Sequence, residues 1–184
     1  MKFLTLFSCA AMLTIFAAGC VLTARDQVHT TYYDLAVPAR QSTLPLQINS
    51  VSNDTAAQSR MFFRFKGDRV VQDSLNCWVQ SPERMLQRYL VHYFSPVKTA
   101  ESANLVSMRC TINAFEFDMT KSEAVLGIKY LLKCNNQRQS GYLTFREKFT
   151  NPTPNELAAA MSKAVNQAAD RMNKLASEFS KKSL

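Results

Sequence analysis

Covalent chemistry in this chain would rest on its cysteines, Cys9, Cys20, Cys77, Cys110 and Cys134. Cys9 lies inside an apolar run, Phe3 to Phe16, that follows the single basic residue Lys2 and ends in Ala17-Ala18-Gly19-Cys20. A short charged head, an apolar middle and small residues before a break are what a secretory signal requires. Cys9 then leaves with the signal, and Cys77, Cys110 and Cys134 enter an oxidising compartment where thiols can pair. A hairpin turn at Thr120 to Glu123 would set Cys110 opposite Cys134 on the apolar face of two strands, a candidate cross-strand disulfide that leaves Cys77 free beside Trp78. Two buried thiols at the same positions are the other reading. The remaining chemistry is sparse. Only His29 and His92 could serve as imidazole ligands or bases, which leaves no metal cluster and no base-assisted nucleophile. No glycine loop cradles a phosphate, and no acids stand as an obvious pair. The expectation is a non-catalytic protein with no metal and no catalytic residues.

These residues are positioned by elements that the pattern marks out. Leu46 to Val51 and Arg60 to Lys66 alternate apolar with polar, the period of half-buried strands, and Gly67-Asp68 turns the second into Arg69 to Asp73 as a hairpin. Ser81-Pro82-Glu83 opens a helix whose stripe is Met85, Leu86, Tyr89, Leu90 and Tyr93, and which should stop near Phe94 ahead of Pro96. Val106, Met108, Cys110 and Ile112 share one face before Phe115, Phe117 and Met119 take the opposite parity, so a bulge is expected near Ala114. Ala124 to Leu132 and Tyr142 to Phe149 complete a three-stranded meander, turning at Thr120 to Ser122 and at Asn135 to Ser140. Thr153-Pro154-Asn155-Glu156 is a capping box ahead of an amphipathic helix of about 25 residues by the 3.6 period, with Leu157, Met161, Val165, Met172 and Phe179 on its apolar face.

The fold class that follows is α/β: a single domain over residues 41–184, its mixed, mostly antiparallel sheet carrying two main helices, after a signal (1–19) and a tether (20–40). Tyr32-Tyr33-Asp34-Leu35, within the tether, reads as an aromatic anchor that docks it on the domain. Hydrophobic residues make up 47% of the chain, enough for one core. The formal charge of +8 becomes +7 once Lys2 leaves with the signal, since no acid goes with it. Such basicity suits anionic lipid surfaces or acidic proteins, or simply solubility; the cations are scattered, without the block a nucleic acid would require.

The Ala17-Ala18-Gly19-Cys20 segment resembles the lipobox of bacterial lipoproteins, with Ala17 where Leu is usual. By that resemblance Cys20 is the mature N-terminus and carries a covalent lipid, with no other cofactor. An uncleaved signal anchor and ordinary cleavage without lipid are the competing readings. The order of motifs along the mature chain also resembles the ABC-type transport auxiliary lipoproteins, the PqiC/YmbA-like family. It consists of Cys20, then Tyr32-Tyr33-Asp34-Leu35, Met61-Phe62-Phe63-Arg64, Trp78 with Ser81-Pro82 and Met85-Leu86, Phe115-Glu116-Phe117 and Ala124, and the alanine-rich last helix. The resemblance implies an envelope lipoprotein that accompanies ABC permeases and MCE-domain proteins in moving lipids or other apolar molecules between membranes. It also implies a homo-oligomeric ring and a lipid anchor in the outer membrane facing the periplasm, with which Val21 is compatible. Docking is expected on the exposed side of the sheet or on the loop Asn53 to Ser59. Trp78 and Arg64 match family positions, and a buried ring and a paired cation account for them.

Overall fold

The structure is a computed structural model that describes residues 29–94 and 105–183; Cys20, Val21, Pro96 and the signal lie outside the described residues. Thr153 caps the last helix as its sequence requires, its Oγ1 accepting from the Glu156 amide at 3.4 Å. The Glu156 carboxylate completes the cap two residues further out than a capping box would, accepting from the Asn151 amide at 2.8 Å. Helix α2 spans Pro154–Lys182, and the shorter α1 spans Pro82–Tyr93, starting at Pro82 and ending where expected. The α1 stripe Met85, Leu86, Tyr89, Leu90 and Tyr93 is buried, as is the predicted apolar face of α2.

Among the described residues seven strands make one mixed sheet: β1 (Thr31–Tyr33), β2 (Leu46–Asn53), β3 (Arg60–Arg64), β4 (Val70–Trp78), β5 (Val106–Asp118), β6 (Glu123–Cys134) and β7 (Gln137–Lys148). Their order is β1-β4-β3-β5-β6-β7, with β2 also paired to β5. β3 and β4 form the expected antiparallel hairpin across a 3-10 turn at Lys66–Asp68, where Gly67 takes φ 76°. β5, β6 and β7 form the expected antiparallel meander. The long β5 is flanked on its other side by β2 along its first half and by β3 near its end, both parallel to it.

Register decides which residues meet. The bulge lies between Ile112 and Ala114, where the parity switch placed it. Gly127 sits opposite it: a Cβ there would lie 2.2 Å from Asn113 Oδ1 and 3.0 Å from Ala114 Cβ. One face of the meander carries the rows Met108–Leu132, Cys110–Tyr130–Gly141, Ile112–Ile128–Leu143 and Phe115–Leu126–Phe145. This is the face on which α1 and α2 pack, and Trp78, Phe115 and Phe117 continue the core toward β4. Gly141 has no Cβ because the Tyr130 ring lies across it, within 3.0 Å of where one would be.

Two expectations are corrected. The hairpin closes with Asp118 opposite Glu123 and the bulge absorbs one more residue, so Cys110 faces Tyr130 and Cys134 lies four residues beyond. The expected Cys110–Cys134 disulfide is therefore not formed, and Cys77, Cys110 and Cys134 are buried free thiols. Burial pushes the Cys110 thiol up to about 12. The tether also ends earlier than residue 40. β1 adds to the edge of the sheet, parallel to β4, and Leu35 enters the core, because three successive backbone groups and an apolar cluster have unpaired partners there.

Candidate functional site

The segment after β1 runs as a strap from Asp34 to Pro45 along the groove between α1 and α2, and it is where the chain leading to Cys20 is fastened to the domain. Leu35 is buried. The Ala36 amide donates to Ser162 Oγ at 3.0 Å; that hydroxyl is itself buried and donates to the Ala158 carbonyl of α2. Asp34 pairs with Arg88 of α1. Ser42, also buried, is held from three directions. Its amide donates to the Tyr93 carbonyl at 2.7 Å, its hydroxyl donates to Asn173 Oδ1 at 2.7 Å, and that hydroxyl accepts from the Leu44 amide.

Between these contacts lies a polar cluster centred on Asp170. Asp170 of α2 accepts from Tyr93 Oη at 2.5 Å, from Arg40 of the strap at 2.5 Å and from Asn166 at 3.5 Å. Burial works against its charge, but the hydrogen bonds from Arg40 and Tyr93 overcome it and hold the carboxyl below the usual carboxylate range. Burial, with the bond to Asp170 and its charge, pushes the Tyr93 hydroxyl up to about 12. The same carboxylate raises Arg40 by hydrogen bond and charge. Tyr93 is thus a neutral donor and Asp170 a fixed acceptor across the physiological range. Neither is poised to exchange a proton, and the cluster acts as a fastening.

The strap leaves cavities on its flanks. One of about 600 Å³ lies under Arg40 to Pro45, against Tyr93, Asp170, Asn173, Lys174 and Ser177. A more apolar one of about 520 Å³ is bounded by Ala36, Val37, Ala39, Tyr89, Ala159 and Lys163. A third, of about 230 Å³, lies toward α1 with His92 on its rim. Val37, 81% exposed, stands above the groove.

The residues singled out from sequence fall in separate places. Cys20 lies outside the described residues. Cys110 and Cys134 are in the core. Trp78 is buried edge-on to Phe115 with centroids 5.4 Å apart, and Arg64 grips Glu116 through two bonds of 2.6 and 2.8 Å. The loop Asn53 to Ser59 is closed on itself, with Asn53 donating to the Ala57 carbonyl and accepting from Thr55, and Ala57 is buried. His29 and His92 are exposed and far apart in the chain. Among the described residues no group of three His, Cys, Asp or Glu side chains could hold a metal ion, and no helix is long and apolar enough to cross a membrane. Sequence reasoning found the Tyr32 to Leu35 anchor but missed Arg40, Ser42, Tyr93 and Asp170 as a unit. The signal available was a polar Asp170 and Asn173 bordering the apolar stripe of α2.

Fold and site together define an α/β domain whose N-terminal segment is strapped across its helices. No protein-family model matches the chain, and no curated protein matches it. Solved structures do share the fold. A protein from Xanthomonas campestris assigned to the family DUF330 is similar with a TM-score of 0.65, over 78% of this chain and 92% of its own, at 17% identity. Another, described only as an uncharacterized protein, gives 0.66 over 79% and 97% at 15% identity. At these identities the likeness is one of fold.

Proposed function

We propose that the protein is a non-catalytic envelope lipoprotein, acylated on Cys20 and held in the outer membrane facing the periplasm. Its domain serves as the docking component of an ABC/MCE-type system that moves lipids or other apolar molecules between membranes. The observation that carries the reading is the strap: the domain enlists its own N-terminal segment as an edge strand and an interhelical filler, so a pull arriving at Thr31 is passed to both the sheet and the helices. The lipobox-like Ala17-Ala18-Gly19-Cys20 supplies the holder. Several acyl chains anchor firmly where one is marginal. The fold shared with a DUF330 protein, a PqiC/YmbA-like family, supports the resemblance in motif order. Ten residues separate Cys20 from Thr31, a reach of at most about 40 Å when extended. The partners proposed are an MCE-domain protein and an ABC permease, with self-assembly into a ring.

The test is co-purification of the tagged, lipidated protein from detergent-solubilised envelope, with Cys20→Ala as control and partners identified by mass spectrometry. Recovery of an MCE-domain protein or ABC permease with the wild type, lost in the control, is the expected result. Recovery of a different envelope machine alone would transfer the protein to the alternative, a structural lipoprotein that assists assembly of another outer-membrane complex.

A further inference from the structure

The face of the sheet turned away from the helices is divided in charge along its length. Near the β5–β6 turn its ions are matched: Arg64 holds Glu116 at 2.6 Å and Arg146 meets Glu123 at 3.3 Å. Toward the β6–β7 turn they are not. Three successive outward rows there read Gln47–Ser107–Lys133–Arg138, Ser50–Arg109–Leu131–Ser140 and Ser52–Thr111–Lys129–Tyr142. Their common orientation follows from strand alternation, since the intervening rows Met108–Leu132 and Cys110–Tyr130 are buried. It is confirmed by the Ser52–Thr111 hydroxyl bond of 2.9 Å and by Lys129 Nζ lying 5.8 Å from the Tyr142 ring centre. These rows hold Arg109, Lys129, Lys133 and Arg138 and no carboxylate. Among the described residues none of the four forms an ion pair.

Lys129 and Lys133 are four residues apart on one strand, about 13 Å, and the neighbouring strands lie about 4.8 Å away, so the cations stand within roughly one or two screening lengths of one another. Among the described residues no carboxylate in these rows compensates their mutual repulsion, whereas at the other end of the same face Glu116 and Glu123 each meet an arginine. We propose that this end of the outward face, centred on Arg109, Lys133 and Arg138, is a docking surface for an acidic protein segment. A protein suits it better than a lipid surface. Membrane-binding faces set projecting apolar side chains among their cations. Here Leu131 is half-buried, Tyr142 at 68% exposed is a single ring lying beside Lys129 among four cations, and the gaps between cations hold the hydrogen-bonding side chains Ser50, Ser107 and Ser140. Position agrees. β1 is at the far edge of the sheet, about 20 Å from β6 by strand spacing, and antiparallel to β5, so its N-terminal end points to the β5–β6 turn. The cations therefore lie diagonally opposite the point where the chain departs for Cys20. The proposal rests on the docking reading above only in taking a protein as the partner.

The test uses the full lipidated chain in intact envelope. A photo-crosslinking residue is placed at Ser140, inside the patch, or at Thr144, in the neutralised half of β7, each with and without Lys133→Glu and Arg138→Glu. Crosslinked peptides are identified by mass spectrometry, and retained Trp78 fluorescence confirms the fold. The expected result is a protein crosslink from Ser140 into a stretch rich in Asp and Glu, at least tenfold weaker in the charge-reversed chain, with Thr144 unaffected or silent. Crosslinks into phospholipid, crosslinks insensitive to charge reversal, or no crosslink from Ser140 would each overturn the proposal. Co-purification of an MCE-domain protein or permease alongside a silent Ser140 would sink this proposal and leave the functional reading standing. A charge-dependent crosslink into an acidic segment of some other protein would uphold the proposal and sink the transport reading.

Discussion

Replacing Tyr93 by Phe removes one hydroxyl and leaves the ring in place, edge-on to Phe94 at 4.9 Å, so it tests the fastening of the strap almost in isolation. The lost bond is a 2.5 Å donation to the Asp170 carboxylate, whose side chain is 26% exposed. A hydrogen bond to a charged group contributes about 1.5–3 kcal/mol, and partial access of water to Asp170 favours the lower end, about 1.5 kcal/mol. Arg40 bonds the same carboxylate but is 65% exposed, so water replaces it cheaply and Arg40→Ala should cost clearly less. The assay is equilibrium urea unfolding of the mature chain followed by the fluorescence of Trp78, the only tryptophan and 1% exposed. With an unfolding slope near 2 kcal/mol per molar urea, Tyr93→Phe should lower the midpoint by about 0.7 M. Hydrogen exchange at the Ser42 amide, which donates to the Tyr93 carbonyl, should quicken in the same variant. An Arg40→Ala midpoint as low as that of Tyr93→Phe, or no shift in either, would refute the assignment of the strap's hold to the buried side of the cluster.

Acid should loosen the same cluster. The folded Asp170 has a depressed pKa, as does Asp118, bound by the Thr120 hydroxyl, so their contributions are complete above the ordinary carboxylate pKa and lost as pH falls through the depressed values. Urea midpoints should hold from pH 7 to about 5 and drop below about pH 4, with a shallower drop in Asp170→Asn. Cys77, Cys110 and Cys134 should resist a thiol reagent at pH 7 in the native mature chain and react after unfolding without prior reduction; a disulfide recovered by peptide mapping would contradict the register. Gly141→Val should cost about 1–3 kcal/mol by urea unfolding, because its branches would displace the Tyr130 ring from a filled row. Combining it with Tyr130→Ala should recover part of the loss from that clash.

Elements with local, periodic signals were legible in the sequence. The cap and stripe of α2, the start and stop of α1 and the bulge beside Ala114 all follow from residues within a few positions of each other. What depended on distant partners was not. β1 is three residues long and has no period to read, and its partner β4 is half-exposed along Val70 to Leu75, which hid the extension of that strand to Trp78. Ser42 and Asn173, or Ala36 and Ser162, meet across more than a hundred residues of chain. The cysteine pairing failed for a related reason: in the expected register Asp118 would face Leu126, but it faces Glu123, three residues earlier, and the bulge adds a fourth, so Cys110 meets Tyr130 instead of Cys134. The parallel pairing of β2 with β5 likewise leaves no local trace.

The way β1 joins the sheet also sets how the domain would bear load. A pull on the N-terminus acts along β1, whose three rungs to Asn76, Cys77 and Trp78 lie side by side across the direction of force and must yield together. The strap behind it adds the Asp34–Arg88 pair, the Ala36 amide bond and the Arg40–Asp170–Tyr93 cluster in succession. Tension on the anchor is met first by a joint in shear and then by separate clasps that open one at a time, so an overstretched tether would lengthen in steps before the main sheet is stressed.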